Sequence, residues 1–104
     1  MDILVWVNVT ADKFNTIPRK YGVYLIVAKC TDNRNWVVYS GQSSDLQERI
    51  NQHWDESEPN KGLKNAISKY GYCISVFYAV ANGNSVDGYE RYLKDMKEKI
   101  WRMS

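Results

Sequence analysis

The chain has 104 residues, 44% hydrophobic and 25% charged, which is the profile of a globular rather than a disordered protein and leaves room for one domain around one core, 1–104. Its net charge is only +2, so charge alone does not identify a polyanionic partner, and any basic surface has to be local. No stretch approaches the ~18 consecutive apolar residues of a membrane helix, and the short first apolar run behind Asp2 is not a secretory start; the expectation is a cytoplasmic protein with Cys30 and Cys73 as buried free thiols.

Ile3 to Val9 is β-branched and predicts an edge strand or leading arm within residues 1–18, ahead of a core at about 19–101. Pro18 breaks the chain and biases Ile17 to extended geometry. Tyr21 to Ala28 is a nearly continuous apolar run, short and branched, which predicts a buried strand. Thr31-Asp32-Asn33-Arg34-Asn35 has turn chemistry, and Trp36-Val37-Val38-Tyr39 predicts the second strand of a hairpin, ended by Gly41. A helix follows: Ser44 with Gln47 matches a capping box, and Leu46, Ile50 and Trp54 mark its buried face. Asp55 to Asn60 is a polar, acidic loop. Leu63, Ala66, Ile67 and Tyr70 form the stripe of a second helix, with Gly71 placed as its left-handed stop. Cys73 to Ala81 predicts a third strand, closed by Asn82-Gly83. Val86, Tyr89, Leu93, Met96 and Ile100 then lie on one face of a last helix. The order is (β)-β-β-α-α-β-α, an α+β plan: a small, mainly antiparallel three-stranded sheet, with an optional N-terminal strand, flanked by helices.

Several side chains stand out against this plan. Tyr24 and Tyr39 sit on the two hairpin strands, where alternation can place them on one face as near neighbours. Tyrosine is also an ordinary packing residue in strands. Arg49 and His53 are one helical turn apart and share a face. An Arg–Asp45 pair and a surface or core histidine are the plain alternatives. In a site, the arginine offers a permanently charged planar fork for phosphate, and the histidine can move a proton near neutral pH. Glu90 lies at the edge of the last helix's apolar stripe, where it either pairs with Lys94 or offers an oxygen ligand to a hard cation. Lys61, Lys64, Lys69, Lys94, Lys97 and Lys99 are candidate phosphate contacts or simply solvated lysines.

Taken in order, Tyr21-Gly22-Val23-Tyr24, then Val38-Tyr39-Ser40-Gly41, then Arg49 and His53, then Leu63 to Gly71, then Glu90, the chain resembles the GIY-YIG nuclease family from Tyr21 to about Leu93. Val23 and Ser40 stand where the two triplets usually carry isoleucine, and no asparagine follows Asn84, although many members carry one in or after the last helix. The resemblance implies a metal-dependent endonuclease that hydrolyses DNA phosphodiester bonds with magnesium or manganese. Carried over by position, Tyr24 and Tyr39 line the site, and one of them or His53 takes the proton of the attacking water. Arg49 neutralises charge on the phosphoryl oxygens, and Glu90 holds the metal. A second reading keeps the fold without catalysis, as a module binding nucleic acid, a nucleotide or a protein.

Overall fold

An apolar run without polar alternation suits a strand covered on both faces. In the computed structural model that run is β2 (Gly22–Lys29), buried from Gly22 to Ala28. The structure describes residues 5–29, 35–55, 58–81 and 89–102, the side chains of residues 72, 89–92, 101 and 102 excepted. β2 is central because it pairs antiparallel with both β3 (Asn35–Ser43) and β4 (Ile74–Val80). The short β1 (Val7–Val9) adds to the other side of β4, giving the order β1-β4-β2-β3, antiparallel throughout. The optional N-terminal strand is therefore present, as an edge.

Alternation along β2 divides the core in two. Tyr24, Ile26 and Ala28 face α1 (Leu46–His53), α2 (Lys61–Tyr70) and a 3-10 segment at Ala11–Thr16. Val23, Leu25 and Val27 face α3 (Tyr89–Arg102), through Leu93, Met96 and Ile100. The α+β plan holds, with one α-helix on one face of the sheet and two on the other among the described residues. No described helix is long and apolar enough to cross a membrane.

Local details differ from the sequence expectation. The Ser44–Gln47 capping box is not formed. The N-cap of α1 is Asp45, whose Oδ1 accepts from the Glu48 backbone N–H at 3.1 Å. A carboxylate caps a helix start and also meets its positive dipole end. Gln47 instead donates to the carbonyls of Asn15 and Ile17, both at 3.1 Å. Gly71 is not a left-handed stop: its φ is −3° and ψ −73°, and it opens a 3-10 turn, Gly71–Cys73, that tightens the chain into β4. Cys73 belongs to that turn rather than to the strand, and it is exposed, not buried. Gly41 does not end the second hairpin strand, because it pairs with Tyr24 inside a ladder that continues to Ser43. Cys30, the Thr31–Arg34 turn, Asn82-Gly83 and Val86 lie outside the described residues.

Candidate active site

Tyr24 and Tyr39 share a face only because β3 carries an irregularity. From Asn35 to Val37 the β3 residues pair with Lys29 to Val27, but Tyr39 pairs with Ile26, so Val38 is the extra residue of a bulge. A one-residue slip exchanges the faces of a strand. Val37 accordingly packs toward α3, whereas Tyr39, two residues later, packs with Tyr24 toward α1. The two tyrosine rings are near-parallel, with centroids 6.1 Å apart.

The glycines of both triplets make room for this arrangement. A Cβ on Gly22 would lie 2.3 Å from the Ala79 carbonyl oxygen and 2.6 Å from Leu46 Cδ1, so the bare backbone lets β4 and α1 close on β2. A Cβ on Gly41 would lie 2.7 Å from Tyr24 Oη and 2.8 Å from its Cζ. Gly41 thus provides the floor across which the Tyr24 ring lies.

α1 brings His53 to the same place. His53 is 1% exposed, and its Nε2 is 2.6 Å from Tyr24 Oη. Its ring centroid is 4.6 Å from that of Tyr39. Arg49, one turn earlier and half-buried, donates to Gln52 Oε1 at 3.3 Å. It does not take Asp45, which is paired with Arg19 at 2.7 Å. Tyr24, Tyr39 and His53 therefore converge at the C-terminal end of α1, with the Arg49 charge one turn earlier near enough to act on Tyr24 and His53.

The electrostatics of the cluster are set mainly by burial. Desolvation pushes the Tyr24 hydroxyl well above the ordinary tyrosine range; the neighbouring Tyr39 adds to this, and the Arg49 charge opposes it. Desolvation also holds His53 below its ordinary value, assisted by Arg49 and opposed by Glu58. At neutral pH the pair is a protonated phenol against a neutral imidazole.

Glu58, read as part of a solvated acidic loop, is instead buried in the site. Its Oε2 is 3.0 Å from His53 Nδ1, and both side chains are almost fully enclosed. Its Oε1 accepts from the Asn60 backbone N–H at 3.2 Å. The one signal in the sequence is its place before Pro59, where the chain is biased to extended geometry, and Asn60, which caps α2 through Leu63 N–H at 3.0 Å.

Glu90 stands in the first turn of α3, the helix on the opposite face of the sheet from α1. Its side chain lies outside the described residues. Among the described residues no group of three or more His, Cys, Asp and Glu forms a cage for a metal. Both ring nitrogens of His53 are engaged, as are both Glu58 oxygens.

Comparison with curated proteins finds no match, and comparison with solved structures finds none either. The model of the GIY-YIG catalytic domain matches residues 20–104. That span takes in both glycine–tyrosine strands, the helix of Arg49 and His53, and α3, and the chain belongs to the GIY-YIG family.

Proposed function

We propose that this chain is a metal-dependent endonuclease that hydrolyses DNA phosphodiester bonds, with Tyr24, Tyr39, Arg49, His53 and Glu90 as its catalytic residues. The family is one of nucleases acting on nucleic acid, generally with divalent metal ions. The observation that carries the reading for this chain is the buried contact between Tyr24 Oη and His53 Nε2, beside Tyr39 and one turn from Arg49. A hydroxyl whose ionisation is suppressed by burial cannot act as a free phenolate at neutral pH. It can act as a base if it passes its own proton to a neutral imidazole in the same step, and the 2.6 Å contact supports that transfer. Arg49 meets the phosphoryl oxygens as charge gathers on them, the largest electrostatic demand of phosphoryl transfer. Glu90 would hold a divalent cation, which would supply charge neutralisation to the reacting phosphate and acidify water. Exposed lysines on α2 and α3, among them Lys61, Lys69, Lys94 and Lys97, add phosphate contacts outside the site. The reading treats residues 1–104 as a single domain working inside the cell, where its substrate lies.

The test is nicking of supercoiled plasmid DNA in magnesium or manganese. The wild-type chain should nick, chelation should stop it, and Glu90→Ala should abolish it while leaving the thermal unfolding curve in place. Undiminished cleavage by a pure Glu90→Ala preparation would overturn the metal assignment. Binding of DNA with no turnover in any metal would favour a non-catalytic module instead.

A further inference from the structure

A carboxylate and an imidazole enclosed together need partners for every polar atom. Glu58 meets that need in a directional way. Its Oε1 faces the Asn60 backbone N–H, a group that can only donate. Its Oε2 faces His53 Nδ1 at 3.0 Å, and a carboxylate oxygen there requires the proton to be on Nδ1. Nε2 is then left with a lone pair, and the group 2.6 Å from it is the Tyr24 hydroxyl, which donates. The three side chains form one chain of hydrogen bonds with a single consistent direction, Tyr24 to His53 to Glu58. Nothing in the sequence resemblance includes Glu58 in the site.

We propose that Glu58 is a positioning residue that holds His53 in the Nδ1–H tautomer, so that Nε2 takes the phenolic proton of Tyr24 as Tyr24 takes one from the attacking water. The second half rests on the nuclease reading; the first does not. The protons balance within the chain. The water oxygen bonds to phosphorus and gives its proton to Tyr24 Oη, while the original Tyr24 proton moves to His53 Nε2. The P–O bond to the leaving oxygen breaks, and its electron pair stays on that oxygen. His53 becomes an imidazolium, stabilised by the Glu58 carboxylate, and Nε2 then returns its proton to Tyr24 Oη, the group it contacts, as Tyr24 passes its own proton out to solvent. Glu58 carries no proton at any stage. Its part is to orient the ring and to stabilise the charge that forms on it.

The decisive variant is Glu58→Gln, which keeps size and shape. The Asn60 N–H still needs an acceptor, so the amide oxygen stays on that side and the amide NH2 turns to His53 Nδ1. Nδ1 must then accept, and the proton moves to Nε2, where it opposes the Tyr24 hydroxyl. Because His53 is the only histidine in the chain, nitrogen-15 NMR of the imidazole reads the tautomer without ambiguity. The expected result is an Nδ1–H tautomer in the wild type and a shift to Nε2–H in Glu58→Gln. Nicking by the variant should fall roughly 10- to 100-fold in kcat with KM little changed, as for other groups that orient a catalytic ligand. Glu58→Asp, which keeps the charge, should recover part of the loss. A wild-type chain in the Nε2–H tautomer overturns the proposal, and this measurement stands even if Glu58→Gln fails to fold. A folded Glu58→Gln protein with the tautomer unchanged overturns it equally. A wild type that shows the expected tautomer but nicks nothing counts against the nuclease reading alone.

Discussion

Gly41→Ala is the sharpest probe of how the tyrosine pair is held. The backbone at Gly41 is not in the left-handed region, so alanine meets no conformational penalty there, and its whole cost is contact. The new Cβ would stand 2.7 Å from Tyr24 Oη, 2.8 Å from Cζ and 3.1 Å from Cε1. Relief requires the ring tip to move by roughly 0.5–1 Å, back to ordinary van der Waals separation. Tyr24 is 1% exposed, so the ring can only move into its neighbours. Overpacking of this kind costs about 1–3 kcal/mol. The same movement stretches the bond to His53, and a buried polar group deprived of its partner costs a further ~1–3 kcal/mol. A combined loss of at least ~2 kcal/mol corresponds to a fall in Tm of roughly 8–16 °C for a domain near this size. Thermal unfolding followed by circular dichroism measures it, and the double variant Tyr24→Leu/Gly41→Ala supplies the control. Leucine removes the ring tip, so Gly41→Ala should cost at least ~1 kcal/mol less in that background than in the wild type. A loss below ~0.5 kcal/mol in the wild-type background, or an equal loss in both, would refute the steric account.

Stability should also follow the ionisation of His53. Its folded value lies below the ordinary 6.5, so between the two values the unfolded chain binds the proton and the folded one does not. The stability from burying a neutral ring is therefore complete above pH ~6.5 and declines as pH falls below it, by at most ~1.4 kcal/mol per pH unit for one group. Urea midpoints at pH 7.5, 6.5 and 5.5 should show that decline in the wild type and not in His53→Gln; a flat wild-type profile would contradict the burial seen here. Arg49→Lys should reduce nicking by roughly 10-fold or more while leaving Tm within ~2 °C, because lysine keeps the charge but loses the planar fork, and Arg49 contributes one exposed-side hydrogen bond to Gln52. Equal activity in the lysine variant would show that only a positive charge is required there.

The parts of this site that were legible in the sequence are those whose signal is local. The apolar run Tyr21–Ala28 favours a buried strand over a helix by its length and branching, and Gly22–Lys29 is that strand, buried from Gly22 to Ala28. Arg49 and His53, four residues apart beside Leu46 and Ile50, had to share the edge of a helix face, and they do. What could not be read depends on pairing. Nothing in Trp36-Val37-Val38-Tyr39 distinguishes a regular strand from one with Val38 bulged, yet the bulge is what turns Tyr39 onto the face of Tyr24. Ser44 and Asp45 are both good N-caps, and Arg19, far back in the chain, pairs with Asp45 at the observed start.

Glu58 is the most instructive case. Asp55 to Asn60 has the composition of a solvated loop, and the acid that turns inward is distinguished only by what it meets. A buried histidine at the end of α1 presents Nδ1 to the loop, and an unpaired polar atom there would be costly. Of the residues in the connection between α1 and α2, Glu58 supplies the acceptor, and Pro59 and the Asn60 cap hold it at that point. The burial of His53 and the burial of Glu58 are one event, so neither could be inferred before α1 was placed on the sheet. On the proposed mechanism, a histidine at the end of α1 needs an acid in the following loop, because His53 without Glu58 would be a buried ring free to adopt the tautomer that cannot accept from Tyr24.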